Sequence, residues 1–401
     1  MDAAEFRALW NELTPIGRTP EGGYLRYSWS EADQECRNWF RAQADRRDME
    51  VETDKNGNIY AWWGSPHEDG AVLTGSHFDS VPHGGAFDGP LGIASGFLAV
   101  DVLRASGAKP RRPIGVAAFT EEEGGRFGVP CVGSRLMTGV LDPEHARKLT
   151  DAEGITLAEA MDATAADSSI LGPDPERLER LAMFIELHIE QGRALDGVDA
   201  PVGVASAIWP HGRWRFTFTG EANHAGTTML ADRRDPMLTA AFMTLAARKE
   251  ARIAGGLATV GRVETDAGAA NVIPGTVSAW LDARAPDAAA LSEILDAITS
   301  KVTERSERDR TRVAVEAEST MPLVEFDAGL RDRIAAVLGG VPVLPTGAGH
   351  DAGVLSLRVP TAMLFVRNRT GVSHAPAEYA DDADCAAGVD ALAAVLREFA
   401  C

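Results

Sequence analysis

Positive charge is scarce in this sequence relative to negative charge. Its 401 residues carry 39 Lys and Arg against 59 Asp and Glu, a formal net charge of −20 at pH 7, and the isoelectric point lies near 4.9. A surface of that sign repels the nucleic-acid backbone and the anionic face of a membrane, so neither is an expected partner. An anionic small molecule stays open, because the local charge of a site can oppose the global one. Cysteine is scarce as well. Cys36, Cys131, Cys385 and Cys401 stand far apart with no C-x-x-C pair, the pattern of reduced thiols rather than of a disulfide frame. No apolar run is long enough to span a bilayer, and the opening MDAAEFRALWNEL reads as an amphipathic helix rather than a secretion signal. The cytoplasm is therefore the expected compartment. No internal repeat is visible.

What is present is an ordinary globular composition, 45% apolar and 24% charged, in a chain too long for one core. Apolar spacing predicts helices over 3–13 and 31–46, and Lys55-Asn56-Gly57 sits as a turn between two strands of a hairpin. From residue 71 strands and helices alternate: strand 71–76, helix 91–106, strand 114–120, helix 133–139, strand 182–189. That order predicts an α/β domain with a mostly parallel sheet and its sites at the carboxyl ends of strands. The stretch 151–180 is polar and Ala-rich, a surface segment. Beyond Pro201 the pattern becomes β-α-β-β-α-β, with strands at 212–219, 257–264, 275–284 and 311–317 and helices at 235–251 and 288–306. This is the order of a ferredoxin-like split unit. The chain then returns to the first domain with helix 325–338, strand 361–366 and helix 384–399. The expected division is 1–208 with 321–401 as one domain and 209–320 as an insertion.

Chemistry gathers at the predicted strand ends. The stretch LTGSHFDSVPHGGAFDGPLGI, Leu73 to Ile93, delivers His77, Asp79 and, past Gly84-Gly85, Asp88. Imidazole nitrogen and carboxylate oxygen are ligands of zinc-like divalent ions. In H-x-D a strand points both side chains the same way, so the Asp79 carboxylate is placed to hold the His77 ring by its second N–H. A polar loop would carry the same residues. The next strand ends in Glu121-Glu122-Glu123, where one glutamate can bind metal and its neighbour handle protons, or where all three can form a solvated acidic loop. His188, in ELHIEQG, stands where a core histidine would also stand, and His374 follows the strand 361–366. Four strand ends offering His, Asp, Glu, His and His are hard to attribute to packing.

GSHFDSVPHGGAFDGPLG, FTEEEGGRF, ELHIEQG, NHAGTT, NVIPG, GAGHDA and GVSHAPAE follow in this order, spread over nearly the whole chain. They resemble the amidohydrolase branch of the dinuclear-metal M20 peptidase clan, with its N-carbamoyl-L-amino-acid hydrolases, allantoate amidohydrolases and β-ureidopropionases. The resemblance implies a catalytic domain of the dinuclear exopeptidase type and a dimerisation or lid domain. It implies two divalent ions, zinc or manganese with cobalt or nickel also accepted, one on His77, Asp88 and His188, the other on Asp88, Glu123 and His374. Glu122 matches the general base and Asp79 backs His77. The Asp88-Gly89 peptide is expected to be cis. His224 matches a lid histidine that reaches the partner subunit's site and stabilises the oxyanion. Asn271 and Arg284 match a clamp on the substrate carboxylate, Gln191 a ureido contact and His350 a pocket wall. His211 stands where relatives often have another pair, and is counted with the substrate residues. Apart from the family, a strand-end salt bridge for Arg284, a helix cap for His350 and an exposed turn for His211 are the simpler readings.

Arg367 and Arg369 replace a Pro-Ser pair usual in the family, and would favour a second carboxylate on the substrate. The expected activity is cleavage of a ureido carbon–nitrogen bond, on allantoate first and on N-carbamoyl-L-amino acids as the alternative. An N-acyl-amino-acid or dipeptide hydrolase is a further reading. A silent scaffold would have lost Glu122 or a ligand, and none is missing.

Overall fold

The structure is a computed structural model that describes residues 1–401. Two compact units are present, Met1–Ser206 with Glu325–Cys401, and Ala207–Val324.

The first unit is built on a nine-stranded sheet. At its centre Ile114–Phe119, Ala71–His77, Leu181–Ile189 and Thr361–Val366 lie side by side, all parallel. Ala71–His77, Ile114–Phe119 and Thr361–Val366 are buried at every residue, as a sheet covered on both faces requires. Antiparallel strands flank the parallel four: Ile59–Trp63 on one side and Val202–Ile208 on the other. The hairpin Glu50–Thr53/Ile59–Trp63 closes where the Asp54 carboxylate accepts from the backbone N–H of Asn56 and Asn58, an Asx turn.

Helices Ala3–Leu13, Glu31–Asp45, Pro90–Ala105 and Asp382–Ala400 supply one large core with the sheet, through Phe6, Trp10, Phe40, Phe97, Val389 and Leu392 among others. Helix Pro90–Ala105 approaches the sheet through Gly92, where a Cβ would lie 2.3 Å from the Leu187 carbonyl oxygen. Only glycine allows that contact, and it seats the helix against two site-bearing strands. The stretch 151–180 differs from its expected role as polar surface. It forms helices Leu157–Asp162 and Pro175–Arg180, and Leu157, Met161 and Leu171 enter a small separate core with Trp29, Phe127 and Leu136. These few apolar residues are diluted by alanines and acids, so their spacing is weak in the sequence.

The second unit has the expected β-α-β-β-α-β order. Its four antiparallel strands run Arg312–Met321, His211–Thr219, Thr276–Arg284, Leu257–Thr265 across the sheet. Trp214, Phe216 and Phe218 alternate onto the face covered by helices Pro236–Ile253 and Ala288–Asp309, and pack with Met243, Ile294 and Ile298. A two-residue ribbon pairs Asn223–His224 with Val272–Ile273. Phe216 is fully buried, so Phe216→Ala is expected to destabilise this unit by about 3–5 kcal/mol, read as a shift of an equilibrium urea-unfolding transition to lower denaturant.

Candidate metal centre

The four parallel strands end side by side, and each end passes directly into a segment bearing polar side chains. His77 closes its strand and Glu121-Glu122-Glu123 follow Phe119 after one residue. His188 is next to last in its strand, and His374 lies beyond the strand ending at Val366. Asp79, Asp88, Glu121, Glu122, Glu186, Asp351 and Glu378 are all buried here. Such a density of buried acid needs positive charge to offset it.

Asp88 is the shared member. Its Oδ1 lies 3.7 Å from His77 Nε2 and 3.1 Å from His188 Nε2. Its Oδ2 lies 3.2 Å from His374 Nε2, which is in turn 3.3 Å from Glu123 Oε2. Within each of the sets His77–Asp88–His188 and Asp88–Glu123–His374, the ligand atoms all fall within 4.8 Å of one another. One carboxylate thus presents a different oxygen to each set.

The tautomers fit a cation. His77 Nδ1 is 3.0 Å from the Asp79 carbonyl oxygen and His188 Nδ1 is 2.8 Å from that of Ile189. Each ring therefore carries a proton on Nδ1 and turns Nε2 inward. Both Nε2 atoms are buried without a hydrogen-bond partner. Two lone pairs facing a carboxylate oxygen repel, and a divalent ion between them converts that repulsion into coordination; neutral imidazole with carboxylate is the donor set zinc-like ions take. A proton feels the same pull. Burial works against protonation of His188, yet the hydrogen bond that a protonated Nε2 would donate to Asp88, together with that carboxylate's charge, prevails and raises the ring to about 9. At His77 burial dominates and lowers the ring to about 4. Burial, then repulsion from neighbouring acids, pushes Glu122 and Glu123 well above the usual carboxyl range. A bound cation reverses that tendency.

Glu122 stands beside this arrangement, its Oε2 3.6 Å from His77 Nε2 and its Oε1 3.5 Å from the Cys131 thiol. Asp79 departs from its expected role. The bond to the His77 ring comes from its main-chain carbonyl, while the carboxylate, 3.7 Å from Nδ1, accepts from the backbone N–H of Glu122 at 3.1 Å and of Glu123 at 2.9 Å. The strand ends at His77, so Asp79 leaves the alternation that would have put both side chains together. Asp88-Gly89 is also not cis: every peptide bond is trans. Gly89 makes the turn at φ 86°, and a Cβ there would lie 2.4 Å from the His77 ring.

Gln191 donates to Asp88 Oδ2 at 2.8 Å and to Ser373 Oγ at 3.2 Å. His350 is buried, its ring edge-on to His188 with centroids 4.5 Å apart, and although it stands at the N-cap of helix Asp351–Leu355 its side chain caps nothing. Glu186, His188 and His350 form a third close group. Because His188 has one inward nitrogen, that group and the first are alternatives for a single ion. Glu378 was absent from the sequence-derived set. It lies within GVSHAPAE, four residues after His374, and its position there was the available signal.

The profile of Peptidase family M20/M25/M40 matches residues 73–398. The chain belongs to peptidase family M20. Hydrolases of the M20 family are metal-dependent. Within it, the chain is 37% identical over 397 residues to the N-carbamoyl-L-amino acid amidohydrolase of Geobacillus stearothermophilus, covering 96% of each chain. It is 32% identical to the allantoate amidohydrolase of Escherichia coli K12, covering 97% of this chain and 96% of that one. Among solved structures, an amidase of the hydantoinase/carbamoylase family from Burkholderia multivorans superposes with a TM-score of 0.88 at 31% identity, covering 100% and 98% of the two chains.

The remaining expected residues of this M20 chain belong to the second unit. His224 is exposed on the short ribbon, its Nδ1 accepting from the backbone N–H of Gly226 at 3.0 Å and of Thr227 at 3.2 Å. Asn271 accepts from Ala225 N–H through its carbonyl. His211 and Arg284 are register partners on neighbouring strands; His211 Nδ1 meets the Trp209 carbonyl, and Arg284 pairs with Asp282 through Nε at 2.9 Å.

Arg367 and Arg369 are already engaged elsewhere. Arg367 is buried and grips Asp384 through two nitrogens, both at 2.8 Å, and Asp199 at 2.7 Å. Arg369 pairs with Asp381 and Asp196. Both pin the strand end at Val366 to the head of the closing helix, so the expected second-carboxylate site is not formed by them.

Asp79→Ala leaves the Glu122 and Glu123 N–H groups without their acceptor. It is expected to weaken metal binding about 10–100-fold, measured by isothermal titration, and to cost about 1–3 kcal/mol of stability.

Proposed function

We propose that this M20 chain hydrolyses the ureido carbon–nitrogen bond of a small carboxylate-bearing substrate, using two divalent ions, and releases ammonia and carbon dioxide. The observation that carries this reading is Asp88, with Oδ1 turned to His77 and His188 and Oδ2 to His374. His77, Asp88 and His188 would hold one ion; Asp88, Glu123 and His374 would hold the other, zinc or manganese, with cobalt or nickel also compatible with the donors. When bound, such ions polarise a carbonyl and make a water more acidic. Glu122 takes the proton of the attacking water and passes it to the leaving nitrogen, a role suited to a carboxylate that lies beside the ligands without belonging to either set.

The second unit supplies the rest as lid and dimerisation domain. With Nδ1 of His224 accepting two backbone N–H groups, Nε2 carries the proton and faces outward as a donor. That is the tautomer needed to stabilise an oxyanion, and we assign it to the partner subunit's site. Arg284 and Asn271 of the second unit are assigned to the substrate carboxylate and His211 to the substrate; in the first unit Gln191 is assigned to the ureido group and His350 to the pocket wall. Homodimerisation is supported by the edge strand Leu257–Thr265, which pairs on one side only and exposes Leu257 and Val263, and by Leu238, Leu245 and Ile253 exposed on helix Pro236–Ile253. Four unpaired cysteines support a cytoplasmic setting.

Allantoate is the leading substrate, on the motifs around Gly85–Gly92 and Trp209–Trp214. N-carbamoyl-L-amino acids are a second reading, favoured by the 37% identity to the Geobacillus amidohydrolase. Ammonia release after loading with manganese or zinc, on allantoate and on a panel of N-carbamoyl-L-amino acids, separates them. Activity confined to allantoate is expected, and Glu122→Gln should lower kcat by about 10²–10⁴-fold with both ions retained. Silence on every ureido substrate by the metal-loaded enzyme overturns the substrate class. Light scattering should give twice the mass of the chain. Leu245→Asp with Val263→Asp should yield a monomer with greatly reduced kcat; a fully active monomer would remove His224 from the partner site.

A further inference from the structure

We propose that Glu378 is a positioning residue that fastens Asp88 to the segment bearing His374, and that occupation of the second ion site depends on it. This rests on the dinuclear reading above.

Asp88 and Ser373, the neighbour of His374, lie on loops 285 residues apart in sequence, and side chains link the two loops. Glu378 Oε1 accepts from the backbone N–H of Phe87 at 2.8 Å and of Asp88 at 2.9 Å. Its Oε2 is 3.3 Å from Ser373 Oγ, which is also 3.2 Å from Asp88 Oδ2. One buried carboxylate thus orients two consecutive amides on the first loop and a hydroxyl next to His374 on the second. The fit is close: a Cβ on Gly85 would fall 2.3 Å from the Glu378 carboxyl carbon. Glycine at 85 lets the Asp88 loop fold over that side chain.

The two sets differ in how much they need such a fastening. His77 and His188 are strand residues whose rings are locked by main-chain carbonyls, and every member of the first set is buried. The second set is more open. The His374 side chain is 48% exposed, its backbone stands at φ 56°, and Glu123 belongs to a loop. Removing Glu378 leaves the strand-borne pair in place and loosens the hold between Asp88 and the His374 segment, which then rests on Gln191 and Ser373.

The test is manganese titration of the metal-stripped full-length protein, by calorimetry and by stoichiometry after gel filtration, for wild type, Glu378→Ala, Glu378→Gln and Ser373→Ala. Wild type should bind two ions per chain. Glu378→Ala should bind the weaker ion at least about 10-fold less tightly, the range for loss of an outer ligand-orienting partner, with the tighter ion changed less than about threefold. Glu378→Gln, whose amide oxygen can still accept both N–H groups, should restore most of the second site. Ser373→Ala, a small change in a loop, should move in the same direction as Glu378→Ala by a smaller factor. Circular dichroism melts identify any variant that fails to fold, and Ser373→Ala then decides the matter. Two ions in wild type with both alanine variants unchanged, or both ions weakened equally, overturns the inference alone. One ion in wild type overturns the dinuclear reading, and this inference with it.

Discussion

Mutual repulsion among buried carboxyl groups is the constraint on which the rest of this structure depends. Asp79, Asp88, Glu122, Glu123, Glu186, Asp351 and Glu378 converge at one end of a sheet whose interior is hydrocarbon, where like charges are least screened. Several devices make that tolerable. Backbone amides are aimed at Asp79 and Glu378, and hydroxyls of Ser76 and Ser134 at Glu186 and Asp351. What these leave over is an excess of lone pairs at Asp88 and its two flanking sets, and a divalent cation is the group that answers it. The metal dependence of the M20 family and the acid-rich loops are two sides of one electrostatic requirement.

The fold was readable because its signals are long and repeated. Alternation at Trp214, Phe216 and Phe218, apolar runs at 71–76 and 114–119, and helical spacing at 288–306 each extend over several residues and agree with one another. The failures came where the signal was short. Residues 151–180 hide a small core because Leu157, Met161 and Leu171 are separated by alanines and acids, and their burial depends on Trp29 and Phe127 elsewhere in the chain.

The site was readable in kind, and its wiring was not. Residue types at strand ends nominated His77, Asp88, His188, His374 and one unspecified glutamate of Glu121–Glu123, the resemblance singled out Glu123, and these are the groups that the fold brings within reach of one another. Which atom of Asp79 meets His77 is a matter of where a strand ends, a boundary uncertain by one or two residues. Arg367 and Arg369 illustrate the opposite error. Two cations near a pocket suggest a bound anion, but their carboxylate partners lie 17 and 12 residues on, at Asp384 and Asp381, where the closing helix begins. Glu378 went unremarked because a single glutamate in a loop carries no periodicity at all.

The separation in sequence between Asp88 and Glu378, 290 residues, bears on when the protein becomes competent. Loop-closure entropy rises only slowly with length, so joining the two loops is affordable once the sheet exists, though it cannot precede the sheet. On the ribosome, His77, Asp88, Glu123 and His188 emerge long before His374 and Glu378. A chain that stops short of His374 therefore carries the whole of the His77–Asp88–His188 set but only Asp88 and Glu123 of the second. Completion of the second set waits on the docking of the carboxyl-terminal strand and the segment that follows it, the last parts of the chain to emerge.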